Sequence, residues 1–121
     1  MNGLHIISNF YNCAFDFSDE KSVMDKVVKF CTEAGLTVVG TKQFDFQPQG
    51  VTFTVLLAES HVSFHSWPEE GNVAFDIYTC NYFKSNNEKT EYVYEKLKGL
   101  LQPQKEETVR LERSTLHKMQ I

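Results

Sequence analysis

The feature that most restricts the fold is a run of alternating apolar and polar residues in the middle of the chain. From Val51 to Leu57 every second residue is a large apolar one, and threonines fill two of the positions between them. A period of two is typical of a β-strand with one buried face. Turn-forming sequences recur nearby, at 47–50 and 67–71. Because strands joined by short turns pair antiparallel, this pattern predicts an antiparallel sheet.

Other strand-like segments extend this sheet. Segments rich in β-branched and aromatic residues predict strands at 3–11, 36–46, 51–57, 61–66 and 72–80. In the last of these, the apolar positions 73, 75 and 77 share one face. The opposite face carries Asp76, Tyr78 and Cys80. A final segment, 105–113, is strongly charged, and this predicts an edge strand because its charges discourage pairing with another chain.

Two segments predict amphipathic helices. The first begins near Ser18, which precedes two acidic residues, and it ends at Gly35. Its apolar residues recur at helical spacing: Val23, Met24, Val27, Val28, Cys31 and Ala34. The second begins with a capping box, with Ser85 as N-cap and Glu88 three residues later, and ends near Pro103.

Two helices can cover only one face of a sheet. The sequence therefore predicts a single α+β domain over residues 1–121. We expect a two-layer sandwich, with a mainly antiparallel sheet and both helices on one face. The second face of the sheet is then either polar or packed against a partner.

The composition disfavours several classes of protein. The net charge is −4, from 12 Lys and Arg against 16 Asp and Glu, and phosphate contacts would need clustered basic residues, so no nucleic-acid partner is expected. We see neither a signal peptide nor an apolar run of about 18 residues, so we expect no membrane contact and a cytoplasmic location. Three cysteines without a CxxC spacing disfavour a disulfide framework and a structural zinc site. The polar tail 114–121 is expected to be mobile.

The strongest chemical signal lies in residues 59–69, Glu-Ser-His-Val-Ser-Phe-His-Ser-Trp-Pro-Glu. A serine beside a histidine is compatible with a nucleophile and its base, but no G-x-S-x-G elbow supports an α/β-hydrolase. His61, His65 and Cys80 carry metal-ligating atoms, yet their spacing matches no standard metal site. The two histidines are also compatible with hydrogen-bonded residues at a strand edge.

Longer stretches resemble a known family. The run "AESHVSFHSWPEEG" is followed by "AFDIYTC", which puts Cys80 twenty positions after Ser60. Together with "GLHIISNFYNC", "FQPQGVT" and "NNEKTEYVYEKL", these runs resemble the prokaryotic-type, pyruvoyl-dependent S-adenosylmethionine decarboxylase proenzymes. The resemblance extends over residues 3–112, nearly the whole chain.

This resemblance implies that the chain cuts itself. The bond between Glu59 and Ser60 would be broken by serinolysis, which gives a β chain of residues 1–59 and an α chain of residues 60–121. Ser60 would become a covalent pyruvoyl group, whose carbonyl condenses with the substrate amine and accepts the electron pair left by CO2. The implied cofactor set is thus this pyruvoyl group, with no metal and no pyridoxal phosphate.

The resemblance also implies roles for individual residues. His65 would assist self-cleavage, with weaker support from Thr52, and Cys80 would protonate the decarboxylated substrate. Substrate contacts would come from Phe46, Trp67 and Glu69. The product, decarboxylated S-adenosylmethionine, would donate aminopropyl groups for polyamine synthesis. A homodimer of cleaved protomers, with active sites near the subunit interface, is implied as well.

Three positions depart from the common family pattern: Leu4, Ala58 and Asn81. We expect such departures to bear on the substrate pocket, so an ornithine or arginine decarboxylase on the same scaffold remains an alternative. A catalytically silent regulatory relative is a further one. His5, Cys13 and Cys31 are interpreted as structural residues, with Cys31 in the core.

Overall fold

The fold is described from a computed structural model, which covers residues 2–82 and 84–114. It contains six strands and two α-helices with the following bounds: β1 Asn2–Tyr11, α1 Val23–Ala34, β2 Val38–Asp45, β3 Val51–Leu57, β4 Ser60–Trp67, β5 Asn72–Cys80, α2 Asn87–Leu101 and β6 Lys105–Ser114. A 3₁₀ helix, Phe17–Ser22, leads into α1. The strands form one sheet in the order β2-β3-β4-β5-β1-β6, and every neighbouring pair is antiparallel.

The core lies between one face of the sheet and the two helices. Alternate strand residues such as Ile6, Val55 and Ile77 point to this side and are fully buried. Val27 of α1 and Leu97 of α2 cover them. Burying each such side chain contributes about 1.5–3 kcal/mol. The two-layer α+β prediction is confirmed.

The other face of the sheet, which we call the open face, has no helix over it. It carries the polar residues of β4 and β5 together with apolar side chains that remain 43–59% exposed: Ile7, Phe44, Leu56, Val109 and Leu111. The second face was predicted to be either polar or packed against a partner. In the structure it carries both polar and exposed apolar side chains. Scattered exposed apolar residues are common, but five on one sheet face form a surface suited to association.

The strand predictions are confirmed to within two residues, whereas both predicted helix starts are wrong in detail. The first helix begins as a 3₁₀ turn capped by Asp16, whose carboxylate accepts a hydrogen bond from Ser18 N–H at 3.0 Å. The second has Asn86 rather than Ser85 as N-cap. Ser85 Oγ instead accepts a hydrogen bond from the N–H of Asn87, the first residue of α2. These short polar residues all favour helix starts, so sequence alone left the choice among neighbours open.

The predicted ends of the helices agree better. Gly35 ends α1 with a left-handed φ of 90°, and Gln102 ends α2 just before Pro103. The charged strand β6 lies at the edge of the sheet, as predicted. Ser114 is the last residue of β6, and the rest of the tail lies outside the described residues. Within residues 2–82 and 84–114, no helix is long and apolar enough to cross a membrane.

Candidate active site

Ser60 lies at the tight turn between β3 and β4, beside the end of β5. Its register partner on β5 is Thr79, which places Cys80 next to the Glu59–Ser60 bond. Cys80 N–H donates a hydrogen bond of 2.9 Å to the Glu59 carbonyl oxygen. Ser60 itself has a φ of 156°, a value that residues with a β-carbon rarely adopt. The strand pairing thus brings Ser60 and Cys80 together and holds the intervening carbonyl.

The Glu59 side chain is also fixed. Its two carboxylate oxygens accept hydrogen bonds from Thr37, one from the backbone N–H at 3.0 Å and one from the hydroxyl at 3.1 Å. The carbonyl group and the side chain of Glu59 therefore both have defined hydrogen-bond partners. Sequence reasoning did not predict this contact, because Thr37 precedes β2 and is 22 positions away.

A chain of hydrogen bonds leads away from the Ser60 hydroxyl. Ser60 Oγ lies 3.0 Å from Nδ1 of His61, and Nε2 of His61 lies 3.0 Å from Oδ2 of Asp76. The same Asp76 oxygen lies 2.6 Å from Nε2 of His5. Sequence reasoning interpreted His5 as structural and gave Asp76 no role. The one available signal was the strand alternation that put Asp76 on the face it shares with Cys80.

The carboxyl group of Asp76 stays ionised in this environment. Burial by itself would raise the pKa of Asp76, but the hydrogen bonds from His61 and His5 outweigh burial and hold that pKa below its usual value. The ligand atoms of His5, His61 and Asp76 lie within 4.8 Å of one another, close enough for a metal ion. They already satisfy one another as hydrogen-bond donors and acceptor, so the arrangement needs no metal to be stable.

The thiol of Cys80 has a partner of its own. Its Sγ donates to the hydroxyl of Tyr78 at 3.4 Å, which raises the pKa of Tyr78. The other two cysteines are buried in the core, and burial raises the pKa of Cys13 to about 11 and that of Cys31 to about 12. Cys13 and Cys31 therefore remain protonated thiols, as the structural interpretation expected.

His65 lies at the opposite end of β4 from Ser60. The two are five positions apart on an extended strand, which corresponds to about 16 Å. The register partner of His65 on β3 is Thr52. The structure therefore brings together the two residues expected to support self-cleavage, but it keeps them away from Ser60 of the same chain.

The expected substrate-binding residues surround His65. Its ring lies 4.1 Å from the Trp67 ring and 5.4 Å from the Phe46 ring, measured between centroids. These three side chains and Glu69 line one open pocket of about 260 Å³. A second pocket, of about 330 Å³, runs across the open face from His65 to Asp76. The three side chains that the resemblance assigns to the substrate are thus neighbours of His65.

A buried carboxylate supports this pocket from behind. Glu20 is only 6% exposed, and it accepts hydrogen bonds from Gly50 N–H at 2.8 Å and from Ser66 Oγ at 2.7 Å. Ser66 Oγ in turn accepts from Val51 N–H. Glu20 thereby fixes the turn that carries Phe46 to the strand that carries His65. The sequence offered Glu20 only as an acidic residue of a helix start.

The three departures from the family pattern lie outside the pocket around His65. Leu4 is buried in the core, and Ala58 is exposed in the turn before Glu59. Asn81 accepts a hydrogen bond from Asn86 N–H at 2.7 Å and so holds the start of α2. Their bearing on the choice of substrate stays a prediction.

Comparison with known proteins identifies the family to which this chain belongs. A sequence profile described as S-adenosylmethionine decarboxylase matches residues 4–114. The chain belongs to the S-adenosylmethionine decarboxylase family. All of the candidate residues, from His5 to Cys80, lie within the matched range.

Individual relatives agree with this assignment. The S-adenosylmethionine decarboxylase proenzyme of Thermoplasma volcanium is 40% identical over 97 residues, which cover 79% of this chain and 75% of the relative. The corresponding proenzyme of Methanococcus maripaludis is 33% identical over 115 residues, covering 94% and 91%. The crystal structure of the adenosylmethionine decarboxylase from Aquifex aeolicus superposes with a TM-score of 0.82 at 29% identity, covering 98% of this chain and 96% of that one. The fold of this decarboxylase family is therefore the fold of the chain.

Proposed function

We propose that this chain decarboxylates S-adenosylmethionine after it cuts itself between Glu59 and Ser60. The observation that carries the proposal is the hydrogen bond from Cys80 N–H to the Glu59 carbonyl oxygen, at 2.9 Å. It joins the carbonyl group that Ser60 is expected to attack to the residue expected to protonate the substrate. The relatives named above as S-adenosylmethionine decarboxylase proenzymes support the same substrate and the same need for maturation.

Self-cleavage requires that Ser60 Oγ attack the carbonyl carbon of Glu59. The attack moves negative charge onto the carbonyl oxygen, and Cys80 N–H already donates to that oxygen. The unusual φ of Ser60 adds strain to the uncut chain, and cleavage relieves it. Removal of the Ser60 α-proton then releases the carboxylate of Glu59 and leaves fragments 1–59 and 60–121.

We further propose that His65 and Thr52 act on Ser60 of a partner subunit. The separation of about 16 Å along β4 excludes direct contact between His65 and Ser60 within one chain. Association through the exposed apolar side chains of the open face would let two antiparallel copies align the opposite ends of their β4 strands. A two-fold symmetric homodimer of this kind contains two equivalent sites.

The residues near Ser60 fit a pyruvoyl group. A backbone donor that binds a carbonyl oxygen, a thiol and an imidazole all lie beside the serine that would be converted. Once formed, the group supplies a carbonyl that accepts the electron pair released with CO2. Cys80 holds the proton that is returned to the substrate carbon, and its Tyr78 contact orients the thiol.

The pocket around His65 favours S-adenosylmethionine over a small amino acid. Phe46 and Trp67 line the pocket and are each 39% exposed, and aromatic rings suit both the adenine ring and the sulfonium cation of this substrate. Glu69 contributes a carboxylate at the edge of the pocket. The cationic ends of ornithine and arginine can also lie over these rings, but neither substrate has a flat aromatic base to stack on them, so decarboxylation of either is the weaker alternative.

Mass spectrometry of the purified protein tests the cleavage directly. We expect two fragments, one ending at Glu59 and one beginning with a pyruvoyl group at position 60. Ser60→Ala should leave a single chain of 14.0 kDa, whereas Ser18→Ala, on an exposed turn, should be cut normally. A wild-type protein that stays uncut, and so has no pyruvoyl group, would contradict the proposal.

Release of CO2 from S-adenosylmethionine, ornithine and arginine then identifies the substrate. The pocket predicts turnover of S-adenosylmethionine only. Turnover of ornithine or arginine in its place would show that the aromatic rings serve another purpose, and a cut chain inactive on all three would favour a regulatory relative.

A further inference from the structure

The protonation states around Asp76 follow from the partners of each imidazole. Nη1 of Arg113 lies 3.3 Å from Nδ1 of His5, and a guanidinium can only donate. Nδ1 of His5 must therefore be unprotonated, which puts its proton on Nε2, where it is donated to Asp76 at 2.6 Å. The guanidinium of Arg113 also lies 4.5 Å from the centre of the Tyr78 ring, so its position is fixed by two contacts.

The same reasoning applies to His61. An ionised Asp76 only accepts, so Nε2 of His61 carries a proton and donates it at 3.0 Å. In the neutral imidazole Nδ1 is then an acceptor, and it faces the Ser60 hydroxyl at 3.0 Å. Every donor in this chain of contacts meets an acceptor, and the chain ends on the reacting oxygen.

We propose that His61 is the base that takes the proton from Ser60 Oγ in the first step of self-cleavage. This inference rests on the self-cleavage proposed above and assigns its first proton transfer. Asp76 acts as a positioning residue, because it fixes the tautomer of His61 and stabilises the imidazolium that forms. His5 positions Asp76, and Arg113 sets the tautomer of His5.

The proton of Ser60 Oγ moves to Nδ1 of His61 as the oxygen forms a bond to the carbonyl carbon of Glu59. The carbonyl electron pair moves onto oxygen, which Cys80 N–H stabilises. When that pair returns, the bond from the Glu59 carbon to the Ser60 nitrogen breaks. The nitrogen takes the proton back from Nδ1 of His61, so an amide has become an ester and a free amine.

This assignment gives the two histidines different steps. His61 serves formation of the ester and lies beside Ser60 of its own chain. His65, about 16 Å along the strand, serves removal of the α-proton in the partner subunit. Replacing either histidine should block maturation, but at different intermediates.

Trapping with hydroxylamine distinguishes these intermediates, because it cleaves esters at neutral pH and leaves amides intact. Purified His65→Ala precursor should accumulate the ester, so hydroxylamine should yield fragment 1–59 and a fragment with an unmodified Ser60 at its amino end. His61→Ala precursor should yield neither. Added imidazole should restore cleavage to His61→Ala, because it can take the place of the missing base.

The rate of cleavage gives the size of the effect. Loss of a general base typically lowers a rate by about 10²–10⁴-fold, and we expect His61→Gln to fall in this range. Glutamine can still donate to Asp76 but cannot carry the proton, so this variant preserves the fold while it removes the base. If wild-type protein is cut and His61→Gln is cut at the same rate, the inference is wrong while self-cleavage stands. If wild-type protein is not cut, the proposed function itself fails.

The positioning roles have a spectroscopic test. In the uncut Ser60→Ala protein, ¹⁵N NMR of the imidazole nitrogens should show the Nε2–H tautomer for both His61 and His5. Asp76→Asn in the same background should disturb the tautomer of His61, an effect that a merely structural role would not produce. A protonated Nδ1 on His61 at neutral pH would overturn the assignment.

A chelator provides the last arm of the test. Cleavage of wild-type protein should proceed unchanged in its presence. If cleavage stops and zinc ions restore it, the cluster of His5, His61 and Asp76 binds a metal and His61 is not the base.

Discussion

The two ends of β4 differ in the kind of contacts that surround their key residue. At the amino end, Ser60 and Cys80 are held by hydrogen bonds, both of the backbone and of a polar chain through His61 and Asp76. At the carboxyl end, His65 is held between the aromatic rings of Trp67 and Phe46. The first environment suits proton transfer and covalent chemistry, and the second suits the recognition of a flat, cationic molecule.

In this chain of 121 residues, the groups for the proposed covalent chemistry and those for the proposed substrate recognition thus lie at opposite ends of β4. A β-strand is rigid, so groups five residues apart on it cannot approach each other. The proposed reaction needs both environments at one point, and in the proposed homodimer a second copy running in the opposite direction would provide this. The experiments that follow test the division, beginning with the largest expected effect.

Mixed dimers test whether the two ends belong to different chains. Ser60→Ala and His65→Ala should each remain uncut when expressed alone. When they are co-expressed, the mixed dimer has one complete site, formed by Ser60 of the His65→Ala chain and His65 of the Ser60→Ala chain. We therefore expect the His65→Ala chain to be cut and the Ser60→Ala chain to stay intact, as intact-mass analysis of differently tagged chains would show.

If the two ends acted within one chain, neither chain of the mixed dimer would be cut. Mixtures of two differently tagged copies of the same variant provide the control, and these should remain uncut in every combination.

Cys80→Ala separates the backbone role of this residue from that of its thiol. Alanine keeps the N–H that donates to the Glu59 carbonyl, so cleavage should proceed. Loss of the proton donor should lower decarboxylation by at least about 100-fold. The matched control is Cys13→Ala, a buried cysteine at the far side of the core, which should turn over normally. A cut Cys80→Ala enzyme with normal turnover would remove the thiol from the mechanism.

Glu20→Gln acts on the carboxyl end of β4 alone. The amide cannot accept from both Gly50 and Ser66, so one buried donor loses its partner and stability should fall by about 1–3 kcal/mol. The turn carrying Phe46 should loosen, which raises KM for the substrate while cleavage at Glu59–Ser60 continues. Chemical denaturation and steady-state kinetics measure the two effects. Glu95→Gln, on the exposed side of α2, is the control, and an equal change in both variants would contradict the role of Glu20.

Most of the fold could be predicted because its signals are local. The alternation in β3 and in β5 fixes which residues face the helices, and the turns at 47–50 and 67–71 fix the antiparallel pairing. The helix starts were harder, because Ser85 and Asn86 are both good capping residues and only the surrounding contacts select one. The position of β1 between β5 and β6 depends on pairing over more than 60 residues, and no local pattern reports it.

In the candidate site, too, some residues could be predicted from local sequence and others could not. Ser60, His65 and Cys80 were predicted from their family pattern, and Phe46, Trp67 and Glu69, which were predicted to contact the substrate, line one pocket. What sequence could not provide was distance. His5 is 71 positions from Asp76, so its role in the polar chain became visible only when β1 and β5 were paired. The separation of His65 from Ser60, in contrast, was already implied by the strand predicted at 61–66, because the rise per residue of a strand sets that distance.

The order of the strands has a consequence for a chain that is cut, as proposed, between Glu59 and Ser60. Fragment 1–59 contributes β1, β2, β3 and α1, and fragment 60–121 contributes the other strands and α2. Because β1 is inserted between β5 and β6, the two fragments are interlocked through three strand pairings: β3 with β4, β5 with β1 and β1 with β6. If the Glu59–Ser60 bond is broken, the two fragments therefore stay paired in one sheet. We expect them to remain associated when the protein is diluted. The same two pieces, made as separate polypeptides, should find each other and rebuild the sheet only by folding together.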